Sequence, residues 1–277
     1  VCGLAKVVPH GAFEDPHSVP TRIMAHMMEA APWAHADRHV AHLAFKLLRR
    51  LAAFFIGAGA QFLHRAVEGF LGPCGAQHPS DAGYPSRCFQ KFANQGRQLL
   101  VQHLDEICTL ILQVVERTCP EDAHVSLLNT VGSLIGDPAV PQDRLDHWLH
   151  CIVTPLSEAI RALTRRGPDV SEADAQALHR PMALLTALAR GMTGLPKKGK
   201  KVVSRDLPNS AAAGFATAAQ AVLEACQTHG HRAPVREAAV AFLDAMMDVP
   251  MAEQLGPVAG QLAVAVMPVA DVTEAAA

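Results

Sequence analysis

Three histidines stand at a spacing that suits metal chelation. His35, His39 and His42 occur in the sequence HADRHVAH, so a helix through them would place three imidazoles on one face. Two imidazoles four residues apart can hold Zn²⁺, and a third would complete a three-histidine site. The HExxH pattern of zinc proteases is missing, however, and Arg38 lies among the supposed ligands. In a chain with 15 histidines we favour the polar face of an ordinary helix and expect no metal.

A second group of possible metal ligands or nucleophiles lies near the middle of the chain. His147 and His150 are three residues apart and can share a helix face, but Cys151 follows Trp148 towards the apolar side. We therefore favour a structural role. The chain contains no GxSxG nucleophile motif, and GAGAQF at 57–62 is an incomplete glycine-rich phosphate loop that follows a helix. The sequence thus predicts no catalytic residue, no cofactor and no small-molecule substrate; it predicts a protein that is not an enzyme.

The one uneven charge feature is a basic run in a loop. Five cations fall within nine residues, flanked by glycine and proline and with no aromatic residue among them: Lys197, Lys198, Lys200, Lys201 and Arg205. Such a run can bind phosphates non-specifically. It is also typical of a solvated loop or of a fragment of a localisation-type signal, and the residues alone favour the solvated loop.

Overall composition excludes several classes of protein. The chain has 277 residues, of which 50% are hydrophobic and 18% charged, so an intrinsically disordered chain is excluded. The formal charge of -2 argues against coating nucleic acid through bulk electrostatics. No run reaches the roughly 18 apolar residues of a membrane span, so no membrane association is expected. Seven cysteines without a CxxC pair indicate buried, reduced thiols and an intracellular compartment.

The elements that must position these residues are helices. Apolar residues recur at three- and four-residue steps, and the 5% aromatic content also favours helix over strand. Ser171 and Asp174 resemble a helix-capping pair. Turns rich in glycine and proline separate about ten or eleven helices, including those predicted over about 34–55, 85–101, 103–118, 142–165, 171–192, 210–228, 233–248 and 252–266.

The turns group these helices into hairpins at roughly 40-residue intervals, which is close to the period of HEAT repeats. We therefore predict an all-α fold, a HEAT-like α-α superhelical solenoid of antiparallel helix pairs, with a globular helical bundle as the alternative. The expected organisation is an irregular segment over 1–18, the helical repeats over 19–268, and a frayed tail over 269–277.

Five segments in the same order resemble the exportin-T family of importin-β-like karyopherins. The strongest is TVGSLIGDPAVPQDRLDHWLHCIVTPLSEAI at 130–160, where a G-x-L-I-G turn and a proline-containing linker precede a helix bearing T-P-L. The others are 38–55, 77–92, 183–192 and 233–262. Within 130–160 the matching residues are Gly132, Leu134, Ile135, Gly136, Pro141, Leu149, Ile152, Val153, Thr154, Pro155 and Leu156.

This resemblance implies an interior part of a nuclear export receptor. Such a receptor binds tRNA cooperatively with Ran-GTP, contacts nuclear pore proteins and shuttles between nucleus and cytoplasm. It reads the shape and backbone of structured RNA. Arg87 and Lys91, together with the basic run at 197–205, are then the candidate RNA contacts. The alternative is a helical-repeat scaffold that binds protein segments and no RNA, and a histidine-rich metalloprotein or enzyme is a third hypothesis.

Overall fold

A computed structural model gives the fold, and it describes residues 10–116, 121–167, 171–193, 209–247 and 252–266. All regular structure in these ranges is helical, and the chain divides into two compact units, Val1–Val140 and Pro141–Ala277. The first unit contains the helices α1 (Val19–Ala30), α2 (Arg38–Leu48), α3 (Ala52–Ile56), α4 (Leu63–Leu71), α5 (Gly83–Gln95), α6 (Arg97–Leu100), α7 (Leu104–Glu116) and α8 (Glu121–Ile135).

Capping side chains set the starts of the first two long helices. The Ser18 hydroxyl accepts the Thr21 amide at 3.3 Å, and the Asp37 carboxylate accepts the His39 amide at 2.8 Å, so each satisfies an amide that the helix itself leaves unpaired. With Asp37 as its cap, α2 begins at Arg38, four residues later than predicted. The single helix expected over 34–55 is wrong, because a turn after Leu48 separates α2 from the short α3.

Two rows of helices make up the first unit. In one row α2 packs on α5 and α5 on α8; in the other α4 packs on α7, while α4 contacts α5 and α7 contacts α8. Side-chain contacts show that α5 and α8 run in the same direction. Gln90 Nε2 donates to Asn129 Oδ1 at 2.5 Å, and Arg97 Nη2, just after α5, donates to Ser133 Oγ at 2.6 Å. In stacked helix hairpins, the equivalent helices of neighbouring hairpins run parallel, and an antiparallel helix connects them.

Phenylalanines fill the space between the two rows. The ring of Phe70 from α4 lies 5.4 Å from that of Phe45 in α2, and 5.6 Å and 5.3 Å from those of Phe89 and Phe92 in α5. All four side chains are buried. These four large rings pack α2, α4 and α5 against one another.

One helical stretch of the described chain, Arg97–Glu116, is long and apolar enough to cross a membrane. It consists of α6, a 3₁₀ turn and α7, and it carries Asp105 and Glu106 exposed near its middle. Its apolar residues Leu104 and Ile107 are buried, and α7 packs on α8. This apolar face therefore belongs to the packing of the first unit.

The second unit repeats the two-row arrangement with longer helices. Its elements are α9 (Gln142–Thr164), α10 (Glu172–Thr193), α11 (Asn209–His229), α12 (Ala233–Met247) and α13 (Ala252–Val266). In one row α9 packs on α11 and α11 on α13; in the other α10 packs on α12, and successive helices contact each other across the rows. One surface ion pair lies within each row: Arg161 with Glu224 between α9 and α11, and Arg190 with Asp244 between α10 and α12.

Local signals set the helix boundaries of this unit as predicted. Pro141 precedes α9, and the amide of Asp174 donates to Ser171 Oγ at 3.2 Å while that hydroxyl donates to the Asp174 carboxylate at 2.8 Å. The capping pair expected at α10 is confirmed. The hydrogen bond from Ser171, helped by the Arg166 guanidinium, lowers the pKa of Asp174 below its ordinary value. Within each unit the all-α fold of antiparallel helix pairs is thus confirmed.

Candidate nucleic-acid interface

Two neighbouring helices of the first unit carry cations and no acidic residue. The sequences RHVAHLAFKLL of α2 and GYPSRCFQKFANQ of α5 contain no Asp or Glu, and α2 ends directly before Arg49 and Arg50. α2 packs on α5, so the tertiary structure brings together two helices whose charged residues are all positive. We call the following set the α2–α5 cationic surface: Lys46, Arg49, Arg50, Arg87 and Lys91.

The buried Cys88 thiol of α5 lies near two of these cations, Arg49 and Lys91. Burial raises the pKa of the Cys88 thiol, whereas the charges of Arg49 and Lys91 and hydrogen bonds from Tyr84 and Arg49 act in the opposite direction. Two cations from different helices therefore lie near one sulfur atom. The ordinary effect of such crowding is a local positive potential, and a polyanion would relieve the mutual repulsion.

The structure places the two predicted contacts of α5 on one exposed face. Arg87 and Lys91 are four residues apart, and both are exposed. Lys91 extends this face by one turn. Arg87 Nη1 donates to Asp122 Oδ2 of α8 at 2.6 Å, and both side chains of that pair are about half exposed, at 52% and 56%. Arg87 therefore already holds an anion in the free protein.

The basic run predicted at 197–205 lies outside the described residues. Lys197, Lys198, Lys200, Lys201 and Arg205 all fall within 194–208, between α10 and α11. Their role as RNA contacts stays a prediction.

A cluster that sequence reasoning missed joins the start of α2 to the loop before α5. Arg38 Nε donates to Asp81 Oδ2 at 3.0 Å, and His42 Nε2 lies 2.6 Å from the same oxygen. The Arg38 guanidinium also donates to the Cys74 carbonyl at 3.2 Å, and the His42 ring stacks on Tyr84 at 4.2 Å. Partial burial by itself raises the pKa of Asp81, but the hydrogen bonds and positive charge of Arg38 and His42 outweigh it and lower that pKa.

This cluster removes Arg38 from the cationic surface and fixes the loop that leads into α5. The only sequence signal for it was the Asp-Ala-Gly turn at 81–83, which marks a loop but not its distant partner.

The first histidine group does not share one helix face as expected. His35 ends a 3₁₀ turn before α2, and its Nδ1 accepts the Asp37 amide at 3.0 Å. The reason is the Asp37 cap, which starts the helix after His35. His39 is exposed, and the His42 side chain is hydrogen-bonded to Asp81. This correction removes the geometry on which a three-histidine site depended.

The second group forms separate pairs along one helix. Cys151 Sγ lies 3.8 Å from His147 Nε2, and His150 Nδ1 lies 3.2 Å from the Thr154 hydroxyl, all within α9. Across the described ranges, no set of three or more His, Cys, Asp or Glu side chains is arranged to hold a metal ion.

The aromatic residues of α2 and α5 are unavailable for stacking on bases. Phe45, Phe89 and Phe92 are buried, and Tyr84 stacks on His42. These two helices thus offer positive charge without an exposed aromatic platform. Such a surface suits the phosphate backbone of a folded nucleic acid better than the unstacked bases of a single strand.

Comparison with known protein families shows to which family the chain belongs. The sequence model of the family described as Exportin-T matches residues 113–264, more than half of the 277 residues. The chain belongs to the Exportin-T family. Its members are karyopherin-like transport receptors and not enzymes. A search of curated proteins gives no match.

The family match covers part of α7 and the helices from α8 to α13. Three of the five resembling segments, 130–160, 183–192 and 233–262, lie inside it, and the predicted family is confirmed. The segments at 38–55 and 77–92, which include the whole α2–α5 cationic surface, lie before the matched residues. The assignment of RNA contacts to that surface therefore depends on its own charge and geometry.

Proposed function

We propose that this chain is part of a nuclear export receptor for tRNA, which binds its cargo cooperatively with Ran-GTP. The receptor then crosses the nuclear pore through contacts with pore proteins and shuttles between nucleus and cytoplasm. Membership of the Exportin-T family supports transport as the function. The observation that supports RNA as the cargo is the α2–α5 cationic surface, which combines two helices that contain no acidic residue.

The exposed positive charges support recognition of the backbone of a structured RNA. Arg87 and Lys91 lie one helical turn apart and exposed, and Arg49 directly follows the neighbouring helix α2. Each phosphate neutralised by such a side chain releases condensed counterions, so binding should weaken steeply as salt rises. The basic run at 197–205 is proposed as a second contact with the same RNA.

The test reverses the two exposed charges of α5. In the full chain with Ran-GTP, R87E/K91E should bind tRNA about 10–100-fold more weakly, and the slope of log affinity against log salt should become shallower by about 1.5, for two lost phosphate contacts. The matched control is R22E/R165E, which makes the same change in net charge at two exposed arginines in α1 and at the end of α9. A filter-binding titration at several salt concentrations measures both quantities.

The control makes the outcome decisive. Equal losses in R87E/K91E and in R22E/R165E would mean that only net charge matters, and this would refute the surface as a site. Unchanged tRNA binding in R87E/K91E would do the same. Omitting Ran-GTP should weaken wild-type binding, and equal affinity with and without it would contradict the proposed cooperativity.

A protein-binding scaffold is the alternative function, and one observation favours it. Val240 and Met247 lie seven residues apart on α12, with 46% and 68% of their surfaces exposed, so two large apolar side chains face solvent on the second unit. A scaffold of this kind predicts binding of apolar peptide segments and no salt-steep RNA binding in the same titration.

A further inference from the structure

The Asp122 carboxylate occupies the position next to Arg87 at which an anion would bind. It lies in the first turn of α8, and its Oδ2 accepts a hydrogen bond from Arg87 Nη1 at 2.6 Å. It also lies against the first residue of α5: a Cβ atom built on Gly83 would be 2.5 Å from Asp122 Oδ2 and 3.1 Å from its Cγ. The absence of a side chain at Gly83 is what admits the carboxylate.

This position is favourable for any anion. The unpaired amides at the start of a helix carry partial positive charge, and Gly83 is the first residue of the 13-residue α5. Gly83, Arg87 and Lys91 follow one another at four-residue steps, so the helix start and both cations share one face. A guanidinium binds phosphate oxygens in the same geometry as carboxylate oxygens.

Exchange of one anion for another is physically easy here. Both side chains of the Arg87–Asp122 pair are about half exposed, and exposed ion pairs contribute little to stability. If the Asp122 carboxylate turned to solvent, it would still interact favourably with the partial positive charge at the start of its own helix, α8.

We propose that Asp122 is an internal competitor for RNA phosphate at Arg87. In the free protein it holds the guanidinium; when RNA binds, a phosphate takes its place and Asp122 turns to solvent. The contact thereby lowers the affinity of the α2–α5 cationic surface for polyanions. This inference rests on the proposed function of that surface.

The decisive variant is G83A, which displaces the carboxylate without changing the charge of the protein. The added Cβ would meet the far end of the flexible Asp122 side chain, which can rotate away. Weakening a contact of this exposed kind should raise tRNA affinity about 2–5-fold in the full chain with Ran-GTP. The matched control is G214A in α11, where an added Cβ meets no atom within 4 Å and the affinity should not change.

A double variant tests whether the effect acts through Arg87. In an R87Q background, G83A should no longer raise the affinity, because the side chain that it releases is absent. A gain that persists in R87Q would overturn the inference. No gain, or a loss, in G83A would also overturn it, since a loss would mean that Asp122 positions Arg87 for RNA.

Failure of the proposed function is distinguishable from failure of this inference. If R87Q alone leaves wild-type affinity unchanged, Arg87 does not bind RNA, and the surface itself is refuted. If R87Q weakens binding but G83A does not strengthen it, only the competitor role is refuted.

A second pair of variants keeps the test valid if G83A does not fold. D122N removes the competing charge, and E121Q removes an equal charge one residue earlier in the same turn. D122N should increase tRNA affinity more than E121Q does. Equal effects would show a general electrostatic influence and would overturn the specific role of Asp122.

Discussion

Removing the Phe70 side chain should destabilise the first unit more than any ordinary surface change. The Phe70 ring contacts three other rings at centroid distances of 5.3 to 5.6 Å, and these rings come from α2 and α5. The side chain itself is fully buried. F70A therefore leaves a cavity where the two helix rows meet.

The magnitude follows from these contacts. Truncating a buried phenylalanine to alanine costs about 3–5 kcal/mol of unfolding free energy. Each aromatic pair adds about 0.5–1.5 kcal/mol beyond the area it buries, so three pairs place F70A at the upper end of that range. The control is F62A: Phe62 is partly exposed and has one ring contact, with Phe54 at 6.1 Å, so we expect about 1 kcal/mol.

The two tryptophans make the measurement specific for each unit. Trp33 lies in the first unit and Trp148 in the second, and the chain has no other tryptophan. In a W148F background, fluorescence reports unfolding around Trp33, whose buried indole lies against Gly69, the residue before Phe70. A urea titration should show the F70A midpoint lowered by about 2 M.

Two results would contradict this reasoning. One is a loss of less than about 2 kcal/mol in F70A, below the range for a buried aromatic residue. The other is a loss in F62A equal to that in F70A. F70L should recover most of the stability, because leucine fills much of the cavity.

Two further changes test the packing and the electrostatics of the same unit. G69A should cost about 1–3 kcal/mol despite the higher helix propensity of alanine, because its Cβ would lie 2.8 Å from Cε2 of the buried Trp33; urea titration of the W148F background measures it. D81N should cost about 2 kcal/mol at pH 7, where Asp81 is ionised and bound to Arg38 and His42. Because the pKa of Asp81 is lower in the folded than in the unfolded chain, this difference should shrink as the pH falls below about 4; a difference constant down to pH 2 would contradict it.

Proline and capping signals made the second unit predictable from sequence. The predicted helix at 142–165 and the observed α9 at Gln142–Thr164 agree because Pro141 stands at the start. The first unit was less predictable. The chain turns at Arg49–Leu51 so that Phe54 and Phe55 both enter the core, but the apolar spacing continues across that turn. Periodicity alone therefore predicted one helix over 34–55 where there are two.

The candidate interface was only partly predictable for a related reason. Arg87 and Lys91 were named only because the segment at 77–92 resembles a part of the exportin-T family. Their electrostatic surroundings are not local, since Arg87 meets a carboxylate 35 residues away and Arg38 meets one 43 residues away. Neither partner carries a sequence signal that connects it to its arginine.

These distant carboxylates determine how much positive charge the surface presents. The chain as a whole has a charge of -2, so net charge alone gives no reason to bind RNA. α2 and α5 contain no acidic residue. Arg38 is nevertheless paired with Asp81 from the loop before α5, and Arg87 is paired with Asp122 from α8. The stacking of α8 on α5 therefore adjusts the potential of a surface whose own helices contain only cations. It follows that a substitution that shifts α8 should change RNA affinity without touching a cationic residue, and that this change should depend on Arg87.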